Sequence, residues 1–139
     1  MSIATSAITQ LEKRLPKVID ARAHGVIDYC HAAFFLSLAL LCRKKNPPAA
    51  LAALGTGSFV LVQSLLTDYP LGASPVLPFE AHGKMDAGFA AFSYAIPRLF
   101  AFEGTKAAVV FKTNAFVEAS VVGLTDFNSE HARQQEMEA

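Results

Sequence analysis

The sequence predicts an all-α fold, a bundle of four transmembrane helices made of two tandem helical hairpins. Three observations predict this class. Hydrophobic residues make up 53% of the 139 and charged residues only 17%, whereas average soluble domains carry roughly 25% charged residues. The apolar residues are concentrated in four segments of 17 to 19 residues each, and a helix of about 20 residues crosses the core of a bilayer. Finally, the chain repeats itself at one fixed offset.

This internal repeat divides the chain into two units and needs no gap. Each unit begins with Ala-His-Gly-x-x-Asp and ends with Leu-Thr-Asp-aromatic, and the second copy follows the first at an offset of 58 residues. The paired positions are 23–28 with 81–86, and 66–69 with 124–127. Because a long fixed period is typical of a repeated supersecondary unit, the sequence predicts two copies of one helical hairpin.

The repeat also sets the organisation of the chain. Residues 1–22 form an N-terminal amphipathic segment, residues 23–127 form the four-helix membrane domain, and residues 128–139 form a polar tail. Within the membrane domain the repeat units are residues 23–69 and 81–127. A loop rich in proline and glycine joins the two units, as expected between helices.

The N-terminal segment is predicted to contain a short amphipathic helix. Its apolar residues Leu11, Leu15, Val18 and Ile19 recur at helical spacing beside basic residues such as Lys13. A helix of this kind lies on a membrane surface. An ordinary solvated helix is the alternative.

The four apolar segments are the predicted spanning helices. They cover about 26–42, 49–66, 84–102 and 107–124. A basic patch followed by two prolines ends the first segment, and proline cannot continue a helix interior. A soluble bundle helix would show a polar face, but the second segment contains no charged residue. A membrane bundle is therefore favoured over a soluble four-helix bundle.

Four polar side chains outside the repeated motifs lie inside the first and fourth segments. Lys112, Asn114 and Glu118 lie in the fourth segment, and His31 lies in the first. Within a membrane such groups normally face the bundle interior or a partner. We expect Glu118 to pair with Lys112 or Arg98, or to line a polar cavity.

The repeated polar residues are predicted to form one layer at one end of the bundle. With two spans per unit, both units point the same way through the membrane, so the beginnings of the first and third helices meet the ends of the second and fourth. Histidine and aspartate four positions apart share one face of a helix. The layer comprises His24, Asp28, Thr67, Asp68, His82, Asp86, Thr125 and Asp126.

This layer has three interpretations. As a structural clamp, His24 would bond Asp68 and His82 would bond Asp126, or each histidine would cross to the other unit. As a metal site, its ligands are similar to those of dinuclear carboxylate sites in helix bundles, although those sites use Glu-x-x-His. As a third possibility, the same groups would carry protons along a transport path or bind a quinone head group. The candidate metal ligands are His24, Asp28, Asp68, His82, Asp86 and Asp126.

Composition and motifs exclude several function classes. The formal net charge is zero and no basic stripe with interleaved aromatic residues is present, so a nucleic-acid partner is not expected. Cys30 and Cys42 lie on one predicted helix, separated by a rise of about 18 Å that is too long for a disulfide. The sequence has no nucleophile elbow, phosphate-binding loop or cysteine-pair motif.

We therefore expect a non-enzymatic accessory or structural subunit of a larger membrane complex, in contact with lipid and other membrane subunits and without a resident cofactor. A metal- or cofactor-binding membrane enzyme or redox protein that uses the His/Asp layer is the alternative. A small transporter or channel, with Lys112 and Glu118 lining a path, is the second alternative.

The duplicated hairpin resembles the SPW-repeat type of small bacterial membrane protein. In that family a Ser-Pro-Trp follows the first helix of a unit. Here residues 95–102 stand at that place, where Pro97 and the trailing apolar and aromatic residues match but the serine and tryptophan do not occur. The resemblance covers about residues 23–127. It implies a multi-pass protein of the bacterial inner (cytoplasmic) membrane, and it brings no established activity.

Overall fold

The computed structural model describes residues 15–138, and the chain in this range is mostly helical, as predicted. Its elements are α1 (Ala21–Cys42), α2 (Pro47–Leu66), β1 (Thr67–Asp68), β2 (Leu77–Pro78), α3 (Phe79–Leu99), α4 (Lys106–Leu124) and α5 (Ser129–Met137). Helix α1 packs along α2, and α3 packs along α4. The four long helices therefore form two hairpins.

The two hairpins begin and end at positions that differ by the 58-residue offset of the sequence. Ala21 and Phe79, the first residues of α1 and α3, are 58 positions apart, as are Leu66 and Leu124, the last residues of α2 and α4. Since each pair of helices begins and ends at equivalent positions, the beginnings of α1 and α3 and the ends of α2 and α4 lie together. We call this the histidine end of the bundle.

Three of the helices are long and apolar enough to cross a membrane. They are α1, α2 and α4, with mean hydropathies of 1.7, 1.7 and 1.4. Helix α3 has a comparable length of 21 residues, but it carries Glu80, Lys84, Asp86 and Arg98 and is more polar. Among the described residues, three of the four predicted segments therefore form helices that could cross a membrane.

The structure describes only part of the segment in which the N-terminal amphipathic helix is predicted. Residues 1–14 lie outside the described residues. For residues 15–20 the helix prediction is wrong, because this stretch is not helical. Instead Ile19 forms a parallel β-bridge with Thr125, directly after the end of α4.

The end of α4 explains this extended conformation. The last carbonyl groups of a helix have no partner within the helix and need donors from elsewhere. The backbone N–H groups of Val18 and Ile19 both donate to the carbonyl oxygen of Leu124, at 2.9 and 3.1 Å. The Lys17 Nζ donates to the carbonyl oxygen of Gly123 at 2.8 Å. An amphipathic helix would withdraw these backbone donors.

The same bridge occurs at the equivalent place in the repeat. Thr67 pairs with Leu77 in parallel register, and these residues are the counterparts of Thr125 and Ile19 at the 58-residue offset. In both cases the segment that leads into one hairpin pairs with the end of the other. The two hairpins are thus joined crosswise at the histidine end.

Two apolar clusters lie at opposite ends of the bundle. Far from the histidine end, Phe35, Phe102 and Phe111 pack with alanines, and the ring centroids of Phe35 and Phe111 are 4.9 Å apart. At the histidine end, Ala132 of α5 packs against Tyr69 and neighbouring apolar residues. Part of the predicted polar tail is therefore a helix that covers this end.

The aromatic residue that ends each unit packs closely against the helix that begins the same unit. The glycine of the His-Gly pair makes this possible because it has no side chain. A Cβ on Gly25 would lie 3.0 Å from the Tyr69 ring, and one on Gly83 would lie 2.7 Å from the Phe127 ring. The two glycines and the two aromatics are repeat equivalents. The motif that begins each unit and the motif that ends it therefore pack against each other.

This contact predicts that Gly83→Ala destabilises the protein whereas Gly88→Ala does not. A methyl group at position 83 would overlap the Phe127 ring, and overpacking costs roughly 1–3 kcal/mol. A methyl group on Gly88, in the same helix, would meet nothing within 4 Å, so alanine there should stabilise by about 0.5–1 kcal/mol. Thermal unfolding in detergent measures both variants, and equal melting temperatures would contradict the proposed contact.

Candidate metal centre

Four side chains from α1 and α3 converge at the histidine end. His24 and Asp28 are one helical turn apart on α1, and His82 and Asp86 have the same spacing on α3, so each pair shares a helix face. Each histidine side chain is 1% exposed, and the Asp28 and Asp86 side chains are 8% and 13% exposed. We call these four residues the His/Asp cluster.

The cluster is compact. The Nε2 atoms of His24 and His82 are 3.2 Å apart. His24 Nε2 lies 3.4 Å from Asp28 and 3.2 Å from Asp86. His82 Nε2 lies 3.4 Å from Asp28 and 2.9 Å from Asp86. One candidate ligand atom from each of the four residues lies within 4.8 Å of the others, so all four can approach a single ion.

Two threonines determine how the histidine rings are used. The Thr67 hydroxyl donates its hydrogen to the carbonyl oxygen of Gln63 at 2.7 Å. Its oxygen, 2.7 Å from His82 Nδ1, must therefore accept from an Nδ1–H group, because a hydroxyl has only one hydrogen. In a neutral His82 the proton is consequently on Nδ1, and the lone pair of Nε2 points into the cluster.

His24 is held in the same way by the other hairpin. Thr125 donates to the carbonyl oxygen of Val121 at 2.7 Å and lies 2.9 Å from His24 Nδ1. Both rings therefore present Nε2 to the centre while an outer partner binds Nδ1–H. Metal-binding histidines almost always have this arrangement.

The carboxylates also have outer partners. Gln63 Nε2 donates to Asp86 Oδ1 at 2.7 Å, and the Tyr69 hydroxyl donates to Asp28 Oδ2 at 3.2 Å. Burial, and secondarily the charge of Asp28, raises the pKa of Tyr69 above its ordinary value. Tyr69 therefore stays protonated and can donate to Asp28.

Aromatic rings close the bundle over the cluster. The ring of His24 lies edge-on to Phe79 and Phe127, with centroid distances of 5.5 and 5.1 Å. Tyr69 lies 5.8 Å from the His82 ring. These rings cover one side of the cluster with apolar surface, and a low-dielectric surrounding strengthens the electrostatic interactions within it.

The structure separates the eight residues of the predicted layer into two groups. Those that meet in or beside the His/Asp cluster are His24, Asp28, Thr67, His82, Asp86 and Thr125. Asp68 and Asp126 lie outside it, so the expected bonds from the histidines to these two aspartates are not formed, and neither aspartate belongs to the candidate ligand set. The histidines cross to the other unit, as the clamp interpretation allowed, but their partners are threonines.

Backbone geometry explains why threonine rather than aspartate faces inward. Both helices end in an extended residue, with φ and ψ of −82° and 138° at Thr67 and −84° and 137° at Thr125. Successive side chains of an extended chain point to opposite sides. Since each threonine points into the bundle, the following Asp68 or Asp126 points away from it.

Asp126 has a surface partner instead. Its Oδ2 accepts from His131 Nδ1 at 2.7 Å, and its Oδ1 accepts from the backbone N–H of Asn128 at 3.1 Å. The bond from His131, helped by that backbone donor, holds the pKa of Asp126 below its usual range. This pair connects the end of α4 to α5.

The polar residues of the fourth segment also differ from expectation. Lys112 pairs with Glu103 in the loop before α4, not with Glu118. Lys112 and Glu118 are six positions apart, and at about 100° per residue they lie on different faces of the helix. Glu118 instead accepts from Asn114 Nδ2 at 3.4 Å. Glu118, Asn114 and His31 line a cavity between α1 and α4. The alternative expectation, that Glu118 lines a polar cavity, therefore describes its position.

Two residues of the site, Gln63 and Tyr69, were missed as candidates. Neither is matched by an identical residue in the other unit, where Val121 and Phe127 stand. Gln63 was nevertheless detectable as the largest polar side chain of a segment that contains no charged residue. Tyr69 was detectable as the terminal aromatic that carries a hydroxyl in one unit alone.

We predict that His131→Ala raises the pKa of Asp126 toward its ordinary value of about 3.9. A folded-state pKa that is depressed stabilises the protein above the unfolded-state pKa, and this contribution is lost as the pH falls through the folded-state pKa. Because the two side chains are 59% and 37% exposed, the effect on stability should stay below about 1 kcal/mol. Carbon-13 titration of the Asp126 carboxyl measures the shift, and an unchanged midpoint would contradict it.

No family model, curated protein or solved structure matches this chain. The functional argument therefore rests on the geometry of the His/Asp cluster.

Proposed function

We propose that this chain is a four-span integral membrane protein that binds one divalent transition-metal ion between its two hairpins. The ligands are Nε2 of His24 and His82 and one carboxylate oxygen each of Asp28 and Asp86. One observation carries the proposal: two threonines fix both rings with Nε2 inward, and these two nitrogens lie 3.2 Å apart. In two neutral rings held this way, the lone pairs of the two Nε2 atoms would face each other. A cation between the rings would accept a coordinate bond from each nitrogen.

The distances agree with a small four-coordinate ion. Ligands arranged tetrahedrally at about 2.0–2.1 Å from a zinc ion are about 3.3–3.4 Å from one another. The two Nε2 atoms are 3.2 Å apart and lie 3.2 and 2.9 Å from Asp86 Oδ2. Asp28 approaches His24 through Oδ1 and His82 through Oδ2, each at 3.4 Å, so either oxygen is available as its single ligand atom. Imidazole ligands favour zinc, copper, iron and nickel, whereas calcium and magnesium prefer oxygen ligands at higher coordination numbers.

Charge balance supports a dication as well. Two carboxylates buried in an apolar bundle need two positive charges nearby, because isolated buried charges are strongly unfavourable. Two protonated histidines would supply these charges, but their Nε2–H groups would then point at each other across 3.2 Å. A divalent ion supplies the same charge and is attracted to all four side chains.

The metal interpretation accounts for the polarity of α3. His82 and Asp86 are the cluster members on this helix, and both face the interior of the bundle. Arg98, in the last turn, is placed to extend its guanidinium toward an interface. The other charged residues of α3, Glu80 and Lys84, lie in its first two turns, so the rest of the helix is compatible with crossing the membrane beside α1, α2 and α4.

A metal-free clamp in an accessory or structural subunit is the second candidate. It is favoured by the crosswise hydrogen bonds, since His24 to Thr125 and His82 to Thr67 join the hairpins without any ion. The two candidates differ in what removing the histidines should do. A clamp loses stability, whereas a metal centre also loses its ion.

The first experiment is elemental analysis and cobalt substitution on protein purified in mild detergent. We expect about one metal ion per chain, and visible Co²⁺ absorption bands of four-coordinate geometry, both lost in His24→Ala and His82→Ala. His131→Ala is the matched control, because this exposed histidine contacts Asp126 outside the cluster. A metal-free parent that takes up no Co²⁺, or equal metal in all variants, would refute the proposal.

The outer threonine provides a sharper prediction. Thr67→Val keeps the shape of the side chain but removes the acceptor of His82 Nδ1–H. Loss of an outer partner typically costs about 10–100-fold in metal affinity, and Thr67→Ser should retain most of it. A competition titration with a coloured chelator measures the affinities. If valine and serine variants bind metal equally, the threonine has no role in positioning the ligand.

A further inference from the structure

A cavity of about 350 Å³ opens between α1 and α4 and reaches the His/Asp cluster. His24, Asp28 and Asp86 form part of its wall, and His31, Asn114 and Glu118 contribute further polar groups. The mouth is on the side of the bundle, where Val26, Phe34 and Val117 line the cavity and are 50–54% exposed. In a membrane this mouth faces lipid rather than water.

The cavity arises where the two units differ. At the equivalent interface between α2 and α3, the rings of Phe59 and Phe89 stack with centroids 4.8 Å apart. Their repeat counterparts are Val117 and His31, and the smaller valine leaves space. The groove on the α2–α3 side includes Phe59 in its wall and none of the four cluster residues. The cavity at the α1–α4 interface therefore reaches the cluster, whereas the groove at the α2–α3 interface does not.

The polar groups in the cavity lack adequate partners. Glu118 is only 8% exposed, and its one hydrogen bond in the described part of the chain is the long contact from Asn114. The Nε2 atom of His31 is buried and has no hydrogen-bond partner among the described residues. Buried polar groups are normally satisfied, so each exception calls for an explanation. A bound molecule with hydroxyl groups would satisfy both.

We propose that this cavity binds a membrane-soluble phenol or hydroquinone, whose hydroxyl group hydrogen-bonds Glu118 and His31 while its ring packs on the apolar walls. The cavity volume is within the range of small-molecule sites. The lateral mouth requires a ligand that dissolves in lipid. An acyl chain would fill the space but leave both polar groups unpaired.

The site does not depend on the metal proposal. Glu118 and His31 are not members of the His/Asp cluster, and their contacts with the ligand need no ion. The position of His24, Asp28 and Asp86 in the inner wall nevertheless orients one edge of the ring toward the cluster. A bound hydroquinone would therefore lie beside the metal where one is present.

The test is isothermal titration of the detergent-solubilised protein with trimethylhydroquinone under nitrogen. The matched ligand is 1,2,4-trimethylbenzene, which has the same ring substituents but no hydroxyl groups. We expect saturable binding of one hydroquinone per chain and at least about tenfold weaker binding of the hydrocarbon, because it leaves the buried acceptors unpaired. Equal affinity for both ligands would overturn the assignment.

Two variants replace cavity residues with the residues found at the equivalent positions of the other unit. Glu118→Val introduces the residue found at position 60 and should weaken hydroquinone binding about tenfold or more. His31→Phe with Val117→Phe reproduces the Phe59–Phe89 stack and should abolish binding. If this double variant does not fold, the Glu118→Val result decides alone. Unchanged affinity in Glu118→Val would refute the role of Glu118.

Two further measurements separate this proposal from its competitors. Mass spectrometry of the purified protein should show no stoichiometric phospholipid that the double variant loses, since a lipid in the cavity would overturn the proposal. The titration is repeated after metal removal with a chelator. Retained binding supports an independent site even if the metal proposal fails, and binding that disappears with the metal contradicts the assignment to Glu118 and His31.

Discussion

Each hairpin of this protein ends in a threonine whose hydroxyl contacts a histidine at the beginning of the other hairpin. Most features of the histidine end depend on these two hydrogen bonds. They determine which ring nitrogen faces inward, they bring α1 and α3 together through their His-Asp pairs, and they require the chain to leave α2 and α4 in an extended conformation. The bridges formed by Ile19 and Leu77 complete that conformation in the backbone.

The His/Asp cluster lies in apolar surroundings, which increase the energy of its electrostatic interactions. A low dielectric strengthens interactions between charges and makes any unbalanced charge costly. The cluster meets that demand with close contacts, outer partners for both rings and both carboxylates, and a cover of aromatic rings. Helix α3, the most polar of the four long helices, owes part of its polarity to His82 and Asp86. The composition of this helix therefore reflects the His/Asp cluster as well as its packing in the bundle.

The sequence predicted the hairpins and the histidine end because both follow from the exact 58-residue repeat. It also predicted that His24, Asp28, His82 and Asp86 meet, since each pair shares one helix face. It did not distinguish Thr67 from Asp68 as the inward residue, because that choice depends on where the helix gives way to an extended chain. The partners Gln63 and Tyr69 depend on long-range packing. Residues 15–20 were misassigned since their pattern of apolar residues carries no sign of the helix end that binds them.

The crosswise joining of the hairpins has a consequence for how such a chain could diversify. One hairpin alone leaves its own ends unpaired, so a single unit could complete them only with a second copy, as in a two-fold symmetric dimer. In that dimer the two hairpin interfaces would be identical, and any substitution would appear in both. Covalent duplication removes this restriction. In this chain the α2–α3 interface carries the Phe59–Phe89 stack, whereas the α1–α4 interface carries His31, Val117 and Glu118 and opens into the cavity that reaches the His/Asp cluster.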